Sequence, residues 1–260
     1  MTSLENKGLV LPRYLDDAEA HPRLDFDGYR STALRHPKQP LTPLPQATTE
    51  ITGPLLGEGR LGELDSASHR RNEQQSPSND LTKQHEHEPQ GQRIIVYGRV
   101  LDSDGRPVPQ TLLEIWQANA AGRYRHVVDN WPAPLDPNFT GLGRTLTDSE
   151  GRYTFTTIKP GAYPWKNHYN AWRPAHIHFS LFGRAFTQRL VTQMYFPGDP
   201  LFRYDPIFNS VPDEKGRERM VSRFVLENTR PDWALAYEFD IVLRGPAATP
   251  FENETDEDAE

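Results

Sequence analysis

The chain has 260 residues, 35% of them hydrophobic, with 24 prolines and no cysteine. This composition fits one loop-rich domain with additional arms, and the absence of cysteine excludes disulfides, thiolate metal sites, iron–sulfur clusters and cysteine nucleophiles. The net charge is −7, and because six acidic residues crowd positions 252–260 the rest of the chain is nearly neutral, which argues against a nucleic-acid-binding face.

Neither a membrane span nor a secretion signal is visible in the sequence. No apolar run approaches the roughly 20 residues of a membrane-spanning helix. The first residues lack the basic segment followed by an apolar core that is typical of a signal peptide. We therefore expect a cytoplasmic protein that binds neither nucleic acid nor membrane.

The first 92 residues contain little that predicts a folded core. Prolines punctuate residues 1–56. Because proline fixes φ and removes a backbone donor, we expect an extended arm that packs on the core or on a partner subunit. Residues 57–92 are almost entirely polar, and such a segment buries too little apolar surface to become ordered, which predicts a flexible loop.

From residue 93 onward the pattern is that of a β-rich domain. Apolar or alternating runs bounded by turn residues predict strands at 94–101, 111–116, 152–158, 176–182, 186–195 and 237–243. Helical spacing of apolar residues occurs only at about 213–228. We therefore predict a mainly β fold over residues 93–251, a β-sandwich of mixed or antiparallel strands with long loops and few short helices. The acidic tail at 252–260 follows it.

Two histidines two residues apart, His176 and His178, are the first candidates for chemistry. Alternate residues of a strand share one face, so both imidazoles could reach the same metal ion. From the tripeptide alone, two partly exposed or hydrogen-bonded core histidines are the commoner case. A second pair, His85 and His87, lies in the polar loop, where no apolar frame holds it, and we interpret it as solvated.

Tyrosines, rather than carboxylates, surround the first histidine pair in the sequence. Residues 152–198 contain no Asp or Glu, so an acidic ligand would have to come from a distant segment, whereas nearby tyrosines are abundant: Tyr124, Tyr153, Tyr163 and Tyr169. Ionising a phenol at pH 7 costs about 4 kcal/mol, which a strongly Lewis-acidic cation can offset. This chemistry favours ferric iron but does not choose among the tyrosines.

An arginine precedes the histidine pair by three residues. Pro174 restricts Arg173 to extended backbone geometry, which could hold a cation beside a metal ion. A surface arginine is equally compatible with this context.

Longer stretches of the chain resemble the intradiol ring-cleaving dioxygenase family. The clearest are IWQANAAGRYRH at 115–126 and WRPAHIHF at 172–179. Further matching stretches lie at 135–141 and 157–165, with weaker ones at 29–38 and 239–245. The match runs almost without gaps from about residue 93 to residue 201.

This resemblance implies a set of site residues. It implies one non-haem Fe(III) per catalytic chain, bound by Tyr124, Tyr163, His176 and His178. It also implies catalytic roles for Tyr163, for Arg173, which stabilises charge on the substrate ring, and for Gln193 beside that arginine. The substrate cavity would be lined by Tyr29, Trp116, Trp165 and Arg173.

The implied activity is cleavage of protocatechuate, with both atoms of O2 inserted between the two hydroxylated carbons. The product would be 3-carboxy-cis,cis-muconate, an intermediate of aromatic catabolism in the β-ketoadipate pathway. One alternative is cleavage of catechol or hydroxyquinol, although the proline-rich arm is unlike the helical N-terminal region of those enzymes. Another is a non-catalytic β-sandwich partner subunit, against which the complete ligand set and Arg173 argue. The resemblance also implies a homologous α subunit, with αβ pairs assembling into a larger hetero-oligomer.

Overall fold

The computed structural model describes residues 79–166, 169–183 and 190–251. Four sequence predictions lie outside the described residues: the extended arm, Tyr29, most of the polar loop and the acidic tail. The first residues of the strand predicted at 186–195 also lie outside them.

Short strands dominate the described part of the chain. They are β1 (Arg93–Leu101), β2 (Leu112–Trp116), β3 (Leu142–Leu146), β4 (Arg152–Ile158), β5 (Tyr163–Trp165), β6 (Ala171–Arg173), β7 (His176–Phe182), β8 (Leu190–Tyr195), β9 (Arg223–Phe224), β10 (Leu235–Glu238) and β11 (Ile241–Val242). The same part of the chain contains two short α-helices, α1 (Pro206–Ser210) and α2 (Glu214–Arg219), with 3₁₀ turns at Leu81–Lys83, Phe202–Tyr204 and Leu226–Asn228. None of the helices in these described ranges has the length and apolar character to cross a bilayer.

Two sheets form the body of the domain. In the first, β1 pairs antiparallel with β4 and parallel with β10 and β11, and β9 continues the sheet beyond β10. The second has the order β3-β2-β7-β8, and every neighbouring pair in it is antiparallel. Strands β5 and β6 form a separate antiparallel ribbon. The mainly β, mixed and antiparallel fold predicted from the sequence is confirmed.

The core lies between the two sheets and fixes the direction of β7. The Phe179 ring on β7 contacts the rings of Tyr153 and Phe155 on β4 and of Phe239 between β10 and β11, with centroids 5.5 to 6.0 Å apart. Successive side chains of a strand alternate between its faces. With Phe179 in the core, the histidines one and three positions before it point to the opposite face of β7.

The helix predicted over residues 213–228 forms only in its first part. Asp213 caps α2 by accepting hydrogen bonds from the backbone N–H groups of Lys215 and Gly216, and the helix ends at Arg219. Farther along, Val225 is buried and its N–H donates to the carbonyl of Ala236. Pairing with β10 therefore outweighs the helical spacing of these apolar residues.

Residues 79–92 differ from the flexible loop predicted over 57–92. Leu81 is completely buried in the main core cluster, and the Asp80 side chain caps the 3₁₀ turn that contains it. The backbone N–H of Thr156 on β4 donates to the carbonyl of Asn79 at 2.8 Å. The buried leucine and the backbone hydrogen bond together dock this polar segment against β4.

Candidate active site

The outer face of the second sheet carries a row of aromatic and polar side chains. The strand register places Trp116 and Gln193 opposite His178 on its two sides, and Tyr195 opposite His176. The Trp116 ring stacks on the His178 ring with centroids 4.7 Å apart and an interplanar angle of 10°. Both histidines, Gln193 and Tyr195 are buried, so this face of the sheet is also covered.

The two histidines converge on one point. The Nε2 atoms of His176 and His178 are 3.2 Å apart. Nδ1 of His176 lies 2.7 Å from the Pro174 carbonyl oxygen, so the neutral ring carries its proton there and leaves the Nε2 lone pair directed toward His178. Burial, followed by the charge of Arg173, holds the pKa of both imidazoles well below its ordinary value. Both rings are therefore neutral near pH 7, the form that binds metals.

Tyr163 reaches the histidines from the two-stranded ribbon. The register of β5 and β6 places it opposite Arg173, and its Oη lies 3.4 Å from Nε2 of His176. Burial raises the pKa of this phenol above its ordinary value, although the Arg173 charge opposes the shift. Without a second cation in direct contact, the phenol keeps its proton.

Tyr124 approaches the same point from the loop that follows β2. Its ring centroid is 5.6 Å from that of Tyr163, with the rings nearly perpendicular, and 6.5 Å from that of His178. The loop is held by internal hydrogen bonds: the Asp129 carboxylate accepts the Tyr124 backbone N–H at 2.8 Å. The side-chain oxygen of Asn119 accepts two further backbone N–H groups of the loop.

Two glycines allow this loop to contact the chain just before β5. A Cβ atom at Gly161 would lie 2.4 Å from the Ala120 carbonyl oxygen, and one at Gly122, whose φ is +75°, would lie 2.3 Å from the Ala162 carbonyl oxygen. No side chain fits at either position. The backbones therefore meet directly, and their contact sets the separation of the two tyrosines.

Arg173 is buried between a carboxylate and an amide. Its Nε lies 3.2 Å from Oδ1 of Asp205, which is itself fully buried. Its Nη2 donates to Oε1 of Gln193, which also accepts a hydrogen bond from the Tyr195 hydroxyl at 3.0 Å. Its Cζ lies 5.6 Å from the centroid of the Trp165 ring.

The charge of this arginine is permanent. Burial opposes it, but Asp205 and the neighbouring tyrosines together outweigh burial and raise the pKa of Arg173 well above its ordinary value. Arg173 is thus a buried cation and not a surface residue.

The structure brings most of the sequence-predicted site residues together. The residues that meet around the histidine pair are Trp116, Tyr124, Tyr163, Trp165, Arg173 and Gln193. The other two local tyrosines lie elsewhere: the Tyr153 hydroxyl donates to the Phe239 carbonyl inside the core, and Tyr169 is 83% exposed.

Two residues of the site were missed by the sequence analysis, Asp205 and Tyr195. Asp205 precedes Pro206, a pair typical of a helix N-terminus, and this signal predicts a cap but no contact with an arginine 32 positions earlier. Tyr195 follows Gln193 at strand spacing, so its face could have been predicted once Gln193 had been placed.

The donor set fits a hard metal cation. Two imidazole nitrogens 3.2 Å apart either share a proton or share a cation, and metal bonds of about 2.1 Å place neighbouring nitrogen ligands about 3 Å apart. Within the described ranges, no group of three or more His, Cys, Asp or Glu side chains could hold a metal ion. The phenols of Tyr124 and Tyr163 are the groups that would complete such a site.

Known proteins resemble the chain over almost its whole length. A family described as Dioxygenase matches residues 68–245, and one described as Protocatechuate 3,4-dioxygenase beta subunit N terminal matches residues 14–47. The chain is 54% identical to the protocatechuate 3,4-dioxygenase beta chain of Burkholderia cepacia, over 96% of this chain and 100% of that one.

Two more distant relatives share the similarity. The chain is 29% identical to the protocatechuate 3,4-dioxygenase alpha chain of Pseudomonas putida, over 82% of this chain and 98% of that one. It is 35% identical to the hydroxyquinol 1,2-dioxygenase of Rhizobium sp. (strain MTP-10005), over 45% of this chain and 42% of that one.

Proposed function

Because the chain belongs to the intradiol ring-cleavage dioxygenase family, we propose that it cleaves protocatechuate between its two hydroxylated carbons. Both atoms of O2 enter the product, 3-carboxy-cis,cis-muconate. The observation that carries this proposal is the convergence of the Nε2 atoms of His176 and His178 with the Tyr163 hydroxyl, beside the buried charge of Arg173. The 54% identity to a protocatechuate 3,4-dioxygenase beta chain supports the choice of substrate.

The family uses non-haem iron. We propose that this chain holds one Fe(III) through four side chains: Tyr124, Tyr163, His176 and His178. When bound, the cation supplies Lewis acidity that makes a catechol dianion reactive toward O2. Neutral imidazoles and buried phenols suit this role, because a cation lowers the pKa of a phenol that burial otherwise raises.

Tyr163 is the residue that we assign to proton transfer. As a phenolate, its Oη accepts a proton from a substrate hydroxyl, and burial then helps it to retain that proton. The residue on the neighbouring strand, Arg173, stabilises the negative charge that develops on the substrate ring. A buried guanidinium does this strongly because water does not screen it.

The remaining residues orient these groups and exclude water. Gln193 accepts from the Arg173 guanidinium, and Tyr195 donates to the same amide oxygen. Trp116 stacks on His178 and holds its ring plane, while the Trp165 ring faces the arginine. Together with Tyr29, these tryptophans are our proposed lining of the substrate cavity.

A homologous α chain is our proposed partner. The support is the pairing of names among the relatives: a beta chain of protocatechuate 3,4-dioxygenase matches 96% of this chain, and an alpha chain of that enzyme matches 82% of it. We propose αβ pairs that assemble further into a hetero-oligomer.

An anaerobic titration with protocatechuate tests the proposal. The purified protein, with and without a co-expressed α chain, should contain iron and be red-brown, and its visible absorption should shift as the substrate binds. Admission of ¹⁸O2 should then yield a tricarboxylic product that carries both labelled atoms. A protein that contains no iron, or a product cleaved beside the two hydroxylated carbons and not between them, overturns the proposal. Turnover of catechol or hydroxyquinol in preference to protocatechuate overturns the choice of substrate.

A further inference from the structure

Asp205 is a buried carboxylate that the proposed chemistry does not use directly. It lies in the bend between the 3₁₀ turn Phe202–Tyr204 and α1, and none of its surface is exposed. A buried carboxylate is costly unless it is paired and hydrogen-bonded. Asp205 meets both conditions, because it accepts a hydrogen bond from a backbone N–H group and is paired with the charge of Arg173.

The contacts of Asp205 join a helix terminus to the catalytic arginine. Oδ1 accepts the backbone N–H of Ile207 at 3.0 Å, which caps α1, and lies 3.2 Å from Nε of Arg173. Oδ2 lies 3.3 Å from the same Nε. The bend itself is held by Asn209, whose side-chain amide donates to the carbonyls of Phe202 and Asp205 at 2.7 and 2.8 Å.

The opposite end of the guanidinium is held by a different element. Gln193 on β8 accepts from Nη2, and the Tyr195 hydroxyl lies 3.4 Å from that nitrogen. The guanidinium is planar, so contacts at both Nε and Nη2 fix the orientation of its plane. Without Asp205, the guanidinium would keep its contacts with Gln193 and Tyr195 on β8 and with the Trp165 ring.

We infer that Asp205 is a positioning residue, whose carboxylate holds the Arg173 guanidinium in the orientation that stabilises charge on the substrate ring. Asp205 acts through Arg173 and does not touch the substrate. The inference rests on the proposed function, because that orientation affects turnover only if Arg173 faces a reacting ring.

Two substitutions separate positioning from helix capping. Asp205→Asn keeps an oxygen for the Ile207 N–H but removes the charge, whereas Asp205→Ser keeps a good capping residue that is too short to reach Arg173. In the αβ enzyme, both variants should lower kcat for protocatechuate by about 10- to 100-fold, the usual effect of a misplaced catalytic group. KM should change by less than about threefold, since the arginine acts mainly on charge that develops during the reaction.

A second capping aspartate provides the matched control. Asp213 caps α2 through the N–H groups of Lys215 and Gly216, and its ion pair is with Arg219, at 3.5 Å. Asp213→Asn should leave kcat within twofold of the unsubstituted enzyme. Full activity in Asp205→Ser would assign the role of Asp205 to capping alone and overturn the inference.

A double substitution tests whether Asp205 acts through the arginine. In an Arg173→Gln background, adding Asp205→Asn should lower kcat by no more than a further twofold, because the group that Asp205 positions is already absent. A further loss as large as that of Asp205→Asn alone overturns the inference. If Asp205→Ser does not fold, Asp205→Asn, which keeps an oxygen for the Ile207 N–H, carries the test with the same expected loss of kcat.

A crystal structure of Asp205→Ser distinguishes failure of this inference from failure of the proposed function. We expect the guanidinium to lie about 1 Å or more from its position in the unsubstituted protein, and an unmoved guanidinium overturns the positioning role whatever the enzyme turns over. An unsubstituted αβ enzyme that cleaves no catechol overturns the proposed function instead.

Discussion

Tyr163 combines a buried phenol with a nearby cation, and its protonation depends on which of the two prevails. Burial favours the neutral phenol and Arg173 favours the phenolate, and in the protein alone the pKa of Tyr163 is raised. Arg173 therefore does not ionise Tyr163 by itself. A second cation in direct contact is needed, and the imidazole nitrogen 3.4 Å away indicates where that cation would lie.

Replacing Tyr163 by phenylalanine tests this assignment. Tyr163→Phe keeps the ring and removes the oxygen, so we expect an altered visible absorption of the bound iron and protocatechuate binding slowed by about tenfold or more. Anaerobic stopped-flow absorption measures both. Tyr153→Phe is the control, since the Tyr153 hydroxyl donates to a core carbonyl and its loss should leave the colour and the binding rate unchanged. Unaltered absorption in Tyr163→Phe would contradict the assignment.

The core tyrosine Tyr153 should make stability depend on pH in the alkaline range. Burial, reinforced by Asp240 and Glu238, raises the pKa of Tyr153 well above 10.0. Above a pH of about 10 the unfolded chain releases this proton while the folded chain retains it, so the free energy of unfolding falls as the pH rises. The stability that Tyr153 contributes is therefore complete below pH 10 and is lost above it.

Calorimetry at two pH values checks this prediction. From about pH 9 to about pH 11, around the phenol's reference pKa, the Tm of the unsubstituted protein should fall more steeply than that of Tyr153→Phe. The difference in Tm between the two proteins should therefore shrink. A constant difference would show that Tyr153 titrates alike in the folded and unfolded chains.

The residues of the candidate site were predictable to different degrees. That His176 and His178 share one face follows from strand periodicity, whereas their role as metal ligands rests on the resemblance. The selection of Tyr124 and Tyr163 over Tyr153 required the resemblance, since all three are tyrosines of the same neighbourhood and only tertiary packing separates them. Asp205 was beyond sequence reasoning, because its partner lies 32 positions away.

Among the elements, the length and the residue pattern of a strand decided whether it could be predicted from the sequence. β4 alternates buried and exposed side chains over most of its length, and β7 alternates polar and apolar residues although nearly all of them are buried, so both carry a clear pattern. β5 and β6 have three residues each, too few for any periodicity, and β5 contains Pro164. These two strands exist through their mutual pairing and through the side chains packed on them, which no local pattern encodes.

The contact between the Tyr124 loop and the chain before β5 can be tested through glycine. Gly122→Ala introduces a Cβ that would lie 2.3 Å from the Ala162 carbonyl oxygen, so the loop must move away from Tyr163. Gly105 has the same φ of +75° but open space around its Cβ position. Gly105→Ala therefore reproduces the backbone strain, about 1–2 kcal/mol, without the collision.

We expect only Gly122→Ala to weaken iron binding. Competition with a chelator should show an affinity lower by about tenfold or more, since a ligand displaced by about 1 Å loses much of its bond, while Gly105→Ala lowers Tm and leaves the affinity unchanged. Equal affinities in the two variants would mean that the loop adapts without displacing Tyr124.

At the scale of the whole molecule, the two faces of β7 have different roles. Its core face carries Phe179, which packs against three aromatic rings and stabilises the fold, and its outer face carries His176 and His178 of the candidate site. The ribbon, the Tyr124 loop and the bend at Asp205 all converge on that outer face. The sandwich thus acts as a platform, and the ribbon, the Tyr124 loop and the bend at Asp205 complete the site.

Exposed apolar side chains beside this face indicate where a partner would bind. Val127 and Val128 are 93% and 61% exposed, three and four residues after Tyr124, and Leu142 on β3 is 61% exposed. Neighbouring exposed apolar side chains often mark interaction surfaces. Because Val127 and Val128 follow Tyr124 so closely in the chain, we expect the proposed α chain to bind at the rim of the site.

Val127→Glu tests this placement. An exposed side chain tolerates the change within about 0.5 kcal/mol, so the Tm of the isolated chain should not fall. In the αβ pair the same carboxylate would be buried without a partner, and the affinity for the α chain should drop at least about tenfold. Leu226, 68% exposed on the 3₁₀ turn after β9, provides the matched substitution away from the site. Sedimentation of co-expressed chains should show intact complexes with Leu226→Glu and dissociated chains with Val127→Glu, and the reverse result would place the α chain beside the first sheet.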